Sequence, residues 1–236
     1  LKKSFKDIIS ETVKDKSKLR VILQITLGVA LAGVVICTIG VVYTLKQYQD
    51  SINEYARLEE FVTISTEAPA PTPQPDDAVT QEPADEEEEY VSVIPVRLDI
   101  KFDELKALNN DFLAWIYYAP LDQNWDINYP MVFDKGNDYY EHYSFEKEKN
   151  VAGAIFLDCL CKKNFKSFNS VIYGHNMRNG TMFGSLDELI LDPEIIEKNP
   201  YFFIFTDDEA LMYKIVSAYY SKNNSKTYTG LQIEYT

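Results

Sequence analysis

Tyr173-Gly174-His175-Asn176-Met177, followed closely by Thr181-Met182-Phe183-Gly184-Ser185-Leu186, is the stretch on which the reading of this sequence turns. It holds one of only two histidines in 236 residues. Phe168 to Tyr173 reads as a short strand, and Gly174, Asn176, Asn179 and Gly180 are turn formers, so His175 is expected at a strand end. Loops held by a rigid scaffold are where chemistry concentrates. An imidazole with an ordinary pKa of about 6.5 exchanges protons at neutral pH and suits general acid or base work. An arbitrary histidine more often bonds its ring to backbone. The turn placement and the surrounding small residues, which would let a substrate backbone approach, favour the catalytic reading here. His142, within Tyr139-Tyr140-Glu141-His142-Tyr143, has aromatic neighbours and no turn glycine, and reads as a packing or surface residue.

Working outward, short apolar runs recur at β spacing: Ala114 to Tyr118, Ile127 to Phe133, Val151 to Cys161, Ser170 to Tyr173, Tyr201 to Thr206 and Leu211 to Tyr220. Turn residues bound each run, among them Asp122-Gln123-Asn124, Lys135-Gly136-Asn137 and Asn223-Asn224. This rhythm predicts a mainly β sandwich or small closed barrel. Two helices accompany it: Asp99 to Asn110, amphipathic through Ile100, Leu105 and Leu108, and about Pro193 to Lys198. Seventeen tyrosines and thirteen phenylalanines fall mostly in the strands and imply core packing rather than a ligand.

The first twenty residues carry seven basic and three acidic side chains, and Val21 to Tyr43 is an apolar run broken only by Gln24, Thr26 and Thr38. At ~1.5 Å per residue such a run crosses the ~30 Å hydrocarbon core. It is too long for a cleavable signal core and continues into Thr44-Leu45-Lys46, so residues 21–45 are read as an uncleaved anchor. Only Lys46 and Arg57 are basic downstream of it before the linker, which puts residues 1–20 in the cytoplasm and the rest outside. Residues 46–64 read as a helical stalk, with Ile52, Tyr55, Leu58 or Glu59, and Val62 at three- to four-residue spacing. Residues 65–92 follow as a spacer: its first 26 residues hold five prolines and nine acidic residues, with no lysine or arginine. The remaining segment, 93–236, is the domain proper.

A net charge of −14, with no basic stripe in the outer part, excludes a nucleic-acid binder. Cys37 lies in the span, and Cys159 and Cys161 form a C-x-C poorly placed to pair and without a second ligand group, so neither a disulfide framework nor a zinc site follows. Carboxylates such as Asp134, Asp138 and Glu141 show no coordination spacing, and no metal or organic cofactor is indicated. Alternation along Ala154 to Cys161 puts Ile155, Leu157, Cys159 and Cys161 on one face, the pattern of buried cysteines acting as small hydrophobes. Ser170 and Ser185 are available hydroxyls, but no G-x-S-x-G elbow presents one.

Taken together, Asn110-Asp111-Phe112-Leu113-Ala114-Trp115-Ile116, Ile127-Asn128-Tyr129-Pro130-Met131-Val132, Asn137-Asp138-Tyr139-Tyr140, Gly153-Ala154-Ile155-Phe156-Leu157-Asp158 and the opening stretch resemble, in order, a class B sortase over roughly Asp99 to Tyr220. The basic N-terminus, single span and stalk are similar to that family's anchors. The resemblance implies a closed eight-stranded β-barrel with peripheral helices, behind one transmembrane helix, on the outside of a Gram-positive cell. It also implies a membrane-anchored cysteine transpeptidase. In that chemistry a thiolate attacks the threonine carbonyl of a sorting motif on a surface protein, and an amine of a peptidoglycan precursor resolves the acyl-enzyme. His175 would then protonate the leaving amine and deprotonate the incoming one, while an arginine stabilises the oxyanion.

The family's nucleophile follows the histidine by several strands, in a T-L-x-T-C type motif, with the arginine later still; neither occurs between His175 and Thr236. Arg178 does not match the family arginine. The resemblance therefore implies that the last strands, the cysteine and the arginine lie beyond Thr236, and that residues 1–236 as they stand are inactive. A non-catalytic, sortase-like extracellular module that binds peptides or scaffolds surface proteins is the alternative.

Overall fold

The computed structural model describes residues 16–65 and 96–221, so nearly all of the acidic spacer and most of the basic leader lie outside the described residues. Two compact units are present, residues 1–50 and 51–236. The first is the body of helix α1 (Lys16–Glu59), whose apolar window has a mean hydropathy of 2.5 and no buried residues. It is long and apolar enough to cross a membrane.

In the second unit the closing turns of α1 bury Ser51, Glu54, Tyr55 and Leu58, a three- to four-residue spacing that puts all four on one face. Leu58 is 1% exposed, worth about 1.5–3 kcal/mol of transfer free energy. Strand β1 (Val62–Ser65) then pairs antiparallel with β2 (Arg97–Ile100), Val62 opposite Ile100 and Ser65 opposite Arg97. The helix expected over Asp99 to Asn110 is shorter, α2 (Phe102–Leu108). Leu98 and Ile100 turn inward while Arg97 and Asp99 turn out, a two-residue period that makes this stretch a strand once β1 lies beside it.

The core is a six-stranded sheet in the order β6-β5-β4-β3-β7-β8, with β3 (Phe112–Tyr118), β4 (Ile127–Val132), β5 (Ile155–Leu157), β6 (Ile172–Tyr173), β7 (Tyr201–Phe205) and β8 (Ala210–Lys214). All neighbours are antiparallel except β4 and β5. Central β3 is buried almost throughout, and Ala114 and Trp115 are fully enclosed, as a strand covered on both faces requires. The sheet curls into a half-barrel with β6 and β8 as its edges; a closed barrel is not formed among the described residues. Short helices α3 (Tyr139–His142), α4 (Glu188–Leu191) and α5 (Glu194–Lys198) lie at the periphery, with a 3₁₀ turn at Gly184–Asp187.

Two expected strands are shorter. The run Val151 to Cys161 supplies only Ile155–Leu157, because side-chain turns close both ends. Asn150 Oδ1 accepts from Ala152 N–H before it, and Asp158 Oδ1 accepts from Leu160 N–H after it, each at two-residue spacing that competes with the ladder. The run Leu211 to Tyr220 stops at Lys214. Ile215 and residues 217–221 then line an apolar cavity of about 520 Å³ against Ile116, Ile127 and Phe202.

Candidate active site

His175 follows β6 and opens a tight loop. Phe183 N–H donates to the His175 carbonyl at 3.0 Å, an isolated bridge joins Asn176 to Met182, and Gly180 takes φ +78° at the tip. Gly174 is required by close approach: a Cβ there would collide with Ile155 and Phe183. The loop's inner side is anchored by Met182, fully buried, whose N–H donates to the Tyr129 hydroxyl at 3.0 Å.

The imidazole, half-buried, borders a mixed polar and apolar cavity of about 370 Å³ lined also by Asn137, Asp138, Glu141, Phe156 and Tyr173. Its Nε2 lies 2.7 Å from the carbonyl oxygen of Glu141, at the end of α3. A carbonyl only accepts, so this contact needs the proton on Nε2 and leaves Nδ1 as the basic nitrogen. That is the arrangement of a ring held by one nitrogen while the other exchanges a proton.

One wall is set by a network that sequence patterning did not disclose. Asp158, 7% exposed, accepts through Oδ2 from Asn137 Nδ2 (2.9 Å) and from the Tyr173 hydroxyl (2.8 Å). Asn137 Oδ1 in turn accepts from Cys159 N–H at 2.9 Å. The only sequence signal was the presence of Asn137 and Asp158 within two of the quoted motifs, N-D-Y-Y and G-A-I-F-L-D. Behind the other wall, Tyr140 donates to Asp111 Oδ2 (2.8 Å) and accepts from Asn109 Nδ2 (2.9 Å).

The cysteines do not lie where alternation puts them. The strand ends at Leu157, and Cys159 and Cys161 occupy the Asp158 turn, half-buried rather than on the core face. Cys161 Sγ accepts from Val171 N–H at 3.4 Å. Desolvation, with the neighbouring Asp158 carboxylate, pushes the Cys159 thiol above its ordinary value and away from thiolate. Cys159 follows the Leu157–Ile172 end of the β5–β6 ladder, whereas His175 follows its opposite end, the Phe156–Tyr173 pair. Arg178 is exposed and borders a different cavity, with Asp126 and Asp187. His142 is exposed at the end of α3, as its neighbourhood suggested. Ser185 is buried in the 3₁₀ turn. No group of three or more potential metal ligands occurs among the described residues.

The half-barrel, its loop histidine and the peripheral helices define a sortase-like fold. No family model matches the chain. Sortase B of Listeria monocytogenes is 37% identical over 99 residues, covering 42% of this chain and 38% of that protein. Sortase B of Staphylococcus aureus is 30% identical over 90 residues, 38% of this chain and 35% of that one. In structure, sortase B from Bacillus anthracis matches with a TM-score of 0.51 at 23% identity, covering 78% of this chain and 77% of that chain. The chain is a homologue of the class B sortases, and it spans little more than a third of the length of the curated relatives it matches.

Proposed function

We propose that this chain is the anchor and histidine-bearing part of a membrane-bound sortase. That enzyme cleaves a C-terminal sorting motif of secreted proteins at a threonine carbonyl and passes the acyl group, through a cysteine thioester, to a peptidoglycan amine. The observation that carries the reading is His175: Nε2 engaged by the Glu141 carbonyl, Nδ1 left basic, and the ring beside a cavity on a loop of the sortase-like half-barrel. In this scheme His175 gives a proton to the leaving amine as the thioester forms. It then takes one from the incoming amine as the amide bond replaces the thioester. The apolar α1 helix supports a single-pass anchor, with residues 1–20 cytoplasmic and 93–236 outside.

None of the three cysteines in residues 1–236 is assigned as that thiol, because Cys159 is held protonated and leaves the opposite end of the β5–β6 ladder from His175, Cys161 shares its turn, and Cys37 sits in the apolar helix. Mass spectrometry of intact protein after incubation with sorting-motif peptides tests this. A cysteine adduct is expected on the product of the complete reading frame and none on residues 1–236. An adduct on residues 1–236 that Cys159→Ala abolishes would overturn the assignment.

A further inference from the structure

We infer that Tyr55, on the last turns of the long N-terminal helix, is a positioning residue for His175. Its functional weight rests on the acid/base reading above; its geometry does not. Tyr55 is 5% exposed, and burial pushes its phenol well above the ordinary value, so the hydroxyl acts as a neutral donor. It donates to the Gly153 carbonyl at 2.7 Å.

Gly153 has φ +56°, a region L side chains rarely adopt, and it is pressed on the end of α3. A Cβ there would stand 2.5 Å from the Tyr140 carbonyl oxygen and 2.9 Å from that of Glu141. The next residue continues the clamp, since Ala154 N–H donates to the Tyr140 carbonyl at 2.9 Å. Glu141 O is the atom that holds His175 Nε2. A donor on Tyr55 thus fixes the peptide that abuts the acceptor of the catalytic ring.

A second route reaches the same loop from its other side. The Tyr55 ring meets Tyr129 edge to face at 5.4 Å and 84°. Tyr129 accepts from Met182 N–H, and the adjacent Phe183 N–H closes on the His175 carbonyl. Both ends of the His175 environment therefore converge on one side chain of α1. Close-packed, hydrogen-bonded chains of this kind transmit sub-ångström shifts because neither neighbour has room to absorb them.

The test uses the full chain in detergent, labelled with ¹⁵N-histidine, which gives signals from His142 and His175 alone. Spectra at pH about 8.5, well above the ordinary imidazole pKa, report the neutral tautomers. In the unmodified chain His175 should be the Nε2–H tautomer. Tyr55→Phe keeps the ring and removes only the donor. The ratio of Nε2–H to Nδ1–H at His175 should then fall roughly three- to fivefold, the scale of one weakened neutral hydrogen bond. Arg57→Ala is the comparison: it removes the ion pair to Glu146 (2.8 Å), which also docks α1, but touches neither route. It should leave the His175 signals in place. The inference is overturned if Tyr55→Phe lowers the melting temperature without moving His175, or if Arg57→Ala moves it equally. Absence of acyl transfer by the unmodified product of the complete reading frame would refute the sortase reading and leave this result standing.

Discussion

Tyr140→Phe isolates one buried hydroxyl behind the His175 wall, and its consequence follows from the partners it leaves. Tyr140 is 1% exposed; its hydroxyl donates to Asp111 at 2.8 Å and accepts from Asn109 Nδ2 at 2.9 Å. Without it Asn109 Nδ2 keeps the Phe145 carbonyl at 2.8 Å, and Asp111 keeps Lys147 at 2.8 Å. The loss is therefore one charge-assisted bond to Asp111 and one neutral bond from Asn109, whose second amide N–H is left buried without an acceptor, about 2–4 kcal/mol at neutral pH. For a domain of this size that corresponds to a fall of about 5–15 °C in melting temperature. The pH dependence follows from Asp111. Desolvation alone would raise its carboxyl, but hydrogen bonds from Lys147 and Tyr140 outweigh it and hold the group below its ordinary value. A lowered folded-state value contributes stability above the unfolded value and loses it as pH falls through the folded one. The gap between the two proteins should therefore be widest near pH 7 and shrink near pH 3. Thermal unfolding followed by tryptophan fluorescence, reporting on buried Trp115, measures both. A loss below about 0.5 kcal/mol, or one equal at the two pH values, would refute the reasoning.

Glu54 works in the opposite sense: 5% exposed, its carboxyl is raised by burial, so the stability it contributes is present below its unfolded value and lost as pH rises through the folded one. Glu54→Gln keeps an acceptor for Glu146 N–H and should raise stability by about 1 kcal/mol at pH 7, with no gain near pH 3, read by urea unfolding. Gly153→Ala forces a Cβ onto the Tyr140 carbonyl at positive φ and should cost about 1–3 kcal/mol in the same assay. Cys159→Ala, in a half-buried turn, should change stability by less than about 0.5 kcal/mol.

The strands were legible where apolar runs met turn residues, as at Phe112–Tyr118 and Tyr201–Phe205. They were overextended where an aspartate or asparagine could bond its own backbone, as at Asp158 and Asn150, because such turns look like strand continuations to a hydropathy pattern. The pairing of β1 with β2 joins residues on either side of the acidic spacer, and no local signal encodes a partner that far away in sequence. The histidine and its turn were readable from residue types. Its orientation was not, since the group that holds Nε2 is a backbone carbonyl, which every residue carries. The burial of Tyr55 against Gly153 was hidden for a similar reason: a stalk pattern shows which face of a helix is apolar, not what covers it.

As proposed, His175 moves the protons of acyl transfer. The most direct test of that role is the rate at which the product of the complete reading frame joins a sorting-motif peptide to an amine acceptor, with and without His175→Ala. His175→Ala should lower the rate about 10²–10⁴-fold with peptide binding retained, the loss typical of a positioned acid/base group. A variant that transfers at an undiminished rate would contradict it.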